Sequence, residues 1–253
     1  MEEKEIEDKH KKITFGLTIF FVCLLFINFL IVTFLYSYSD WIAILIFSLL
    51  FIFPAYLSNA GMVLVGGGKP IDGGKYFRDG RRILGDHKTW NGFIKGPLYV
   101  GIPISIGVAF LFLIIWPLIA QFQRDSAEEG LFVIYEGISY YQYYFIGGVF
   151  PSGFLSLILR IILCAYGAAL GDLVGSFIKR RFNLISGAPA PLIDQLDFIL
   201  FAILLTSIPA IFWPKLFWFP DINIIIFLII LTPSVSVIAN TIAYLIGLKE
   251  VPW

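Results

Sequence analysis

The chain has 253 residues, of which 58% are hydrophobic and only 14% are charged, and its formal net charge is zero. This composition excludes an ordinary soluble globular domain and indicates an integral membrane protein. The total charge by itself says nothing about a partner, and we expect no nucleic acid among the partners.

The apolar residues fall into long runs that follow a short tail of mixed charge, residues 1–12, which we predict to be mobile. A helix needs about 20 apolar residues to cross the hydrocarbon of a bilayer, where backbone groups must be satisfied internally. Runs near or above this length occupy 13–38, 41–65, 97–122, 153–178, 196–213 and 222–247. We therefore predict an all-α integral membrane protein with about six transmembrane helices in a single domain, 1–253. Cys23 and Cys164 lie within these runs, so a disulfide framework is not expected.

The distribution of basic residues predicts the orientation. If the N-terminus is cytoplasmic, the inner segments are the tail, 66–96, 179–195 and the C-terminus. These segments hold all of the 18 basic residues except Arg124, Arg160 and Lys215. Cytoplasmic segments of membrane proteins carry the excess of Lys and Arg. We therefore expect a multi-pass protein of the cell membrane with both termini in the cytoplasm, where 66–96 and 179–195 can form one active site.

The predicted outer loop, 123–152, is acidic and aromatic. Tyrosines are enriched where a membrane meets water. We therefore expect its tyrosines to anchor in the headgroup layer rather than to bind a ligand; they are Tyr140, Tyr141, Tyr143 and Tyr144.

Asp172 lies within the fourth apolar run, where a charged residue is costly and is a functional candidate by default. On a helix, Asp172, Ser176, Lys179 and Arg180 fall along one face. Glycines recur every fourth residue at 167, 171 and 175, which predicts a close contact with another helix. The alternative for Asp172 is an ion pair with a neighbouring helix.

Asp194 and Asp197 stand at the start of the fifth run, three residues apart and therefore on adjoining positions of one helical face. An acid at a helix N-terminus also stabilises the helix dipole, which is the alternative for either residue alone. Mg²⁺ prefers carboxylate oxygens together with substrate phosphate oxygens. Three acids at one membrane boundary predict a metal site for phosphoryl displacement, formed by Asp172, Asp194 and Asp197.

The loop 66–96 contains nine glycines, which let backbone N–H groups approach a ligand, and several basic residues suited to a triphosphate. No P-loop pattern can be aligned to it. The alternative is a loop that only binds anionic lipid headgroups. Its one histidine, His87, has no partner at metal-ligand spacing and receives no role.

Five motifs together resemble the archaeal CDP-archaeol synthase family, a distant relative of the phosphatidate cytidylyltransferases. They are PAYLSNA (54–60), GGGKPIDGGKYFRDGRRILGDHKTWNGFIKG (66–96), GDLVGSFIKRR (171–181), GAPAPLIDQLD (187–197) and LKEVPW (248–253). The resemblance implies an enzyme that, with Mg²⁺, transfers a cytidylyl group from CTP to unsaturated archaetidic acid, a lipid phosphate in the membrane. CDP-lipid and pyrophosphate would be the products.

The resemblance also implies roles for single residues. Asp172, Asp194 and Asp197 would hold metal, with Lys179 and Arg180 as further catalytic residues. Candidates for binding the nucleotide are Asn59, Arg78, Asp79, Arg81, Arg82, Lys88 and Ser176. The synthase core would be 41–253, with active-site loops at 66–96 and 179–195. Residues 1–40 would add a tail and a helix to the family's five, and the outer loop is longer than usual.

Two other functions remain open. A cytidylyltransferase acting on another lipid phosphate would have the same headgroup chemistry, so the motifs discriminate poorly between lipids. A transporter would use Asp172 to couple an ion, although the inverted repeats common in transporters are not evident. A purely structural anchor would leave the charged helix face and the glycine-rich loop unexplained.

Overall fold

The computed structural model describes residues 2–184, 190 and 193–246. The C-terminal LKEVPW motif and most of GAPAPL lie outside the described residues. The helices are α1 Glu2–Leu35, α2 Tyr38–Leu64, α3 Trp90–Lys95, α4 Ile102–Glu128, α5 Ile138–Ile146, α6 Ser152–Arg181, α7 Ile193–Phe212 and α8 Ile222–Leu245. A π-helical turn, Gly96–Gly101, joins α3 to α4. Among the described residues, the only β-pairing is two isolated bridges.

Six helical stretches are long and apolar enough to cross a membrane, which confirms the predicted fold class. Two of them begin directly after a residue whose side chain caps the helix. The side chain of Ser37 accepts the N–H of Asp40 at the start of α2, and Asp221 caps α8 in the same way. Such caps satisfy N–H groups that have no partner within the helix.

Three details differ from the sequence prediction. Residues 2–12, predicted as a mobile tail, continue α1 as helix. The third span begins at Trp90 instead of 97, because the hydroxyl of Thr89 accepts the N–H of Gly92 and starts a helix inside the predicted loop. The predicted outer loop contains a further helix, α5.

The π-helical turn packs closely against α2, and glycine makes this contact possible. A Cβ added at Gly96 would lie 2.7 Å from the backbone nitrogen of Met62. This close approach brings the loop that precedes α3 against the end of α2. We call this end of the bundle, where α2 and α6 finish and α3 and α7 begin, the site end; the other is the opposite end.

The glycine repeat of α6 forms the contact with α7, as predicted. A Cβ added at Gly167 would lie 2.8 Å from Cα of Ala202, and one at Gly171 would lie 2.6 Å from Cα of Phe198. The two backbones therefore touch along most of the site half of α6.

At the opposite end, α5 folds back into the protein. Tyr141, Tyr143 and Tyr144 are buried, and Tyr144 stacks on Phe47 with ring centroids 4.6 Å apart. The predicted headgroup anchoring is therefore wrong for these three side chains, whereas Tyr140 is only partly buried. One cause is the buried guanidinium of Arg160, which lies 4.2 Å from the Tyr143 ring centroid.

The carboxylate of Asp40 fixes the segment before α5. It accepts the N–H groups of three successive residues, Val133, Ile134 and Tyr135, at 2.8–3.1 Å. This buried acid therefore holds the segment before α5 against the start of α2.

Candidate active site

The loop between α2 and α3 is organised around Asp72, whose side chain is fully buried. Its carboxylate accepts the N–H groups of Gly74, Leu84 and Gly85 at 3.0 Å each, and two N–H groups of Arg82 at 3.2 Å. Burial alone would raise the pKa of Asp72, but these hydrogen bonds lower its pKa to about 2. Arg82, predicted to bind the nucleotide, thus holds the loop together and also pairs with Asp86.

Sequence reasoning gave Asp72 no specific role. Its position in a glycine-rich turn, two residues before Gly74, could have indicated a structural role. Asp side chains at such positions accept backbone N–H groups.

Arg181 fastens this loop to the end of α6. Its Nη2 donates to the carbonyl of Arg82 at 2.6 Å, and its Nε lies 3.2 Å from Oδ2 of Asp79. Arg81 in turn donates to the carbonyl of Arg181. The predicted nucleotide-binding residues Asp79 and Arg81 therefore also dock the loop, whereas Arg78 is exposed.

A polar cavity of about 370 Å³ opens between this loop, α2 and α6. Asn59, Lys88 and Asp172 all line it, together with His87 and the backbone of Gly66–Gly68. The structure thus joins three of the predicted site residues, and it adds the histidine to which the sequence assigned no role.

Lys88 and Asp172 form an ion pair within the cavity, with Nζ 2.7 Å from Oδ1. A second pair joins α6 to α7, where Nζ of Lys179 lies 2.5 Å from Oδ1 of Asp194. Each pair consists of one predicted metal ligand and one residue predicted to bind phosphate or act in catalysis. In the structure, these two acids and two lysines therefore neutralise one another in pairs.

The side chain of Asp197 packs directly against the backbone of Gly175. A Cβ added at Gly175 would lie 2.7 Å from Cγ of Asp197. The Asp197 carboxylate interacts electrostatically with Asp172, Asp194 and Lys88. It therefore lies near both ion pairs, whose partners are 84 residues apart in one pair and 15 residues apart in the other.

Ser176 and Arg180 are buried on α6. Arg180 lines a separate cavity of about 330 Å³ together with Arg81 and Arg82. Its Nε has no hydrogen-bond partner among the described residues. The helical face predicted for Asp172, Ser176, Lys179 and Arg180 is thus divided: Asp172 faces the polar cavity and Arg180 this second one.

The chemistry of the donors fits a divalent cation. The ammonium of Lys88 already places a positive charge on Oδ1 of Asp172, in the position where a metal ion would bind. Within the described part of the chain, no compact group of three ligating side chains occurs. The arrangement suits an ion that takes one or two carboxylates and completes its shell with phosphate and water oxygens.

Gly175 provides a test of how strictly the Asp197 carboxylate must be positioned. We expect Gly175→Ala to lower turnover about tenfold, equal to about 1.4 kcal/mol, because the new methyl group displaces the carboxylate while the backbone stays in place. Gly107→Ala in α4 is the control, since a Cβ there meets nothing within 4 Å. Turnover and unfolding temperature would be measured for both. Unchanged turnover in Gly175→Ala would show that the contact with Gly175 does not position the Asp197 carboxylate for the reaction.

Comparison with known proteins supports one family. The family model described as CarS-like, CDP-archaeol synthase, matches residues 41–122 and 131–253. CDP-archaeol synthase of Thermococcus kodakarensis is 37% identical over 217 residues, which make up 84% of this chain and 99% of that protein. That of Archaeoglobus fulgidus is 40% identical over 200 residues, covering 79% and 93%. A solved structure described as an intramembrane enzyme for archaeal membrane lipid biosynthesis is 27% identical, with a TM-score of 0.45, and covers 79% of this chain and 92% of that chain. Helix α1 lies outside the matched residues.

Proposed function

Since the chain belongs to the CDP-archaeol synthase family, nucleotidyltransferases that transfer a cytidylyl group in archaeal lipid biosynthesis, we propose a specific reaction for it. With Mg²⁺, CTP and 2,3-bis-O-(geranylgeranyl)glycerol 1-phosphate would give the CDP-lipid and pyrophosphate. The observation that carries this proposal is the pairing of acids with lysines, Lys88 with Asp172 and Lys179 with Asp194, at the end of a membrane-spanning bundle.

The reaction needs little proton transfer. The second pKa of a phosphate monoester is about 6, so the lipid phosphate is largely a dianion near neutral pH. One of its oxygens attacks the α-phosphorus of CTP and forms the new P–O bond. The bond from that phosphorus to the bridging oxygen breaks, and pyrophosphate leaves with the electron pair. No covalent enzyme intermediate and no general base are required.

The obstacle is charge, because an anion must approach a polyanion. Lys88 and Lys179 would bind phosphate oxygens and so reduce this repulsion. Bound Mg²⁺, held by Asp172 and Asp197 with Asp194 nearby, would supply Lewis-acid stabilisation of the phosphate oxygens. Fixed charges around both substrates also hold them in line, which lowers the entropic part of the barrier.

CTP would occupy the polar cavity. Glycines at 66–68 leave backbone N–H groups accessible, and Gly67 and Gly68 have φ of 89° and 84°, a conformation that other residues rarely adopt. Asn59 at the cavity wall offers both a donor and an acceptor to the nucleotide. Arg180 is buried beside the second cavity, its Nε has no partner in the described part of the chain, and it would bind a further phosphate.

We assign the site end to the cytoplasm. The loops at this end and the tail hold most of the basic residues, in agreement with the positive-inside tendency. CTP is a cytoplasmic metabolite, so this orientation places the cavity where the nucleotide is available. Both termini would then be cytoplasmic.

The test is an assay of the purified protein in detergent with labelled CTP, Mg²⁺ and the geranylgeranylated glycerol phosphate. We expect label to enter the lipid phase, and we expect EDTA to prevent this. Diacyl phosphatidic acid and a polyprenyl phosphate would be assayed in parallel. Preferred labelling of either would assign a different lipid substrate. Labelling that persists in EDTA would overturn the metal requirement.

A further inference from the structure

An apolar groove runs between α6 and α7 beside the site, with a volume of about 280 Å³. Its lining side chains are Val174, Gly175, Ile178, Ile193, Leu196, Asp197, Leu200 and Phe201. Among the described residues of this lining, Asp197 is the one that carries a charge. Nothing in the reaction described so far uses the rest of the groove.

Two side chains of the groove are exposed on the outer surface of the described bundle. Ile178 is 38% exposed and Leu200 is 49% exposed, although both belong to membrane-spanning helices. In a membrane these side chains meet hydrocarbon rather than water. A chain of a membrane lipid can therefore enter the groove sideways without crossing a polar surface.

One end of the groove reaches the charged site. Gly175 forms part of its wall, and the carboxylate of Asp197 rests on that glycine. Asp197 interacts electrostatically with Lys88 and Asp172, which both line the polar cavity. Apolar and charged surfaces thus adjoin at one residue.

A cation lies close to the same end. Lys179 and Asp194, the ion pair that joins α6 to α7, are the sequence neighbours of the groove residues Ile178 and Ile193. An amphiphile with an anionic head and an apolar chain has this pattern of complementarity: the head beside the lysine and the chain against aliphatic side chains.

We propose that this groove binds the segment of one isoprenoid chain nearest the glycerol of the lipid phosphate, with the phosphate held between Lys179 and the polar cavity. This assignment rests on the proposed function. Ligand pockets span roughly 300–1,000 Å³, so a groove of this volume holds part of one chain and leaves the remainder in the bilayer. Branched isoprenoid methyl groups would pack against Ile178, Leu200 and Phe201.

The first experiment narrows the groove. We expect Leu200→Trp to raise KM for the geranylgeranylated glycerol phosphate about tenfold, while KM for CTP stays unchanged. A glycerol phosphate with chains too short to fill the groove should show no difference between variant and unaltered protein. Leu204→Trp is the matched control, because Leu204 lies one turn further along the same exposed face of α7, is 57% exposed and does not line the groove.

A second measurement does not depend on a variant that folds. A lipid phosphate carrying a photoreactive diazirine near the glycerol end of one chain would be cross-linked to the unaltered protein, and the modified residues identified by mass spectrometry. We expect adducts within 174–178 and 193–201, suppressed by unlabelled lipid phosphate and not by a neutral lipid with the same chains. Equal suppression by both would show that bulk lipid occupies the groove, and adducts elsewhere would overturn the assignment.

The two proposals fail separately. If the unaltered protein labels no lipid phosphate, the proposed function is wrong. If it does label the lipid and Leu200→Trp behaves as Leu204→Trp, the groove assignment alone is wrong.

Discussion

Asp197→Asn should lower turnover by about 10³-fold and leave the protein folded. Asp197 would act by holding the metal ion, and losing part of the metal's charge stabilisation of the phosphoryl transition state costs several kcal/mol; each 1.36 kcal/mol is a factor of ten in rate. Folding should survive because asparagine has nearly the same shape and the carboxylate has two acids nearby, Asp172 and Asp194. Relief of that repulsion should even stabilise the site slightly.

The measurement is single-turnover transfer of labelled CMP to lipid, with the unfolding temperature followed in parallel. Asp125→Asn is the matched control, since Asp125 is an exposed acid near the end of α4. Near-normal transfer by Asp197→Asn would remove that residue from the metal site. A large fall in unfolding temperature would instead assign it a structural role.

We expect Lys88→Met to raise the affinity of the site for a divalent metal ion and to lower its affinity for CTP. In the structure the Lys88 ammonium lies 2.7 Å from Asp172, so a metal ion that binds alone must displace it. Without the lysine we expect Mn²⁺, a probe for Mg²⁺, to bind about tenfold more tightly, equal to about 1.4 kcal/mol. CTP should bind about tenfold or more weakly, because a charge-assisted contact with phosphate is lost.

Because the metal ion must displace Lys88 from Asp172, we also expect metal and CTP to raise each other's affinity in the unaltered protein. Metal alone leaves lysines unpaired and CTP alone leaves acids unpaired, whereas together they satisfy both sets of charges. Titration of Mn²⁺ followed by electron paramagnetic resonance, with and without CTP, measures this coupling. Lys75→Met serves as the control, because Lys75 is exposed on the same loop. Unchanged Mn²⁺ affinity in Lys88→Met would show that the metal ion does not compete with Lys88 for Asp172.

Much of the fold was predictable because its signals are local. Runs of apolar residues longer than a bilayer is thick leave the backbone few alternatives to helix, and the six predicted spans are present. The glycine repeat at 167, 171 and 175 likewise predicted the close contact of α6 with another helix, since residues without a side chain permit such close packing. The family followed from five motifs, each contiguous in the chain and all in the family's order.

The fold of the opposite end could not be predicted in this way. Tyrosine is typical of the membrane interface, yet Tyr141, Tyr143 and Tyr144 are buried inside the protein. Their burial depends on Arg160 in α6 and on Asp40 in α2, which hold the segment from other parts of the chain. Composition describes a surface preference and does not say whether another element will cover that surface.

The sequence by itself determined the membrane-spanning architecture, the family and the set of charged residues gathered at one end of the bundle. Only the tertiary structure decided how those charges are used. Arg82 and Arg181 hold the loop, Lys88 and Lys179 neutralise acids, and Asp197 lies between a polar cavity and an apolar groove. The reason is physical: apolar periodicity is set by neighbours in the chain, whereas a charge near many opposite charges takes the partner that packing brings within a few ångströms.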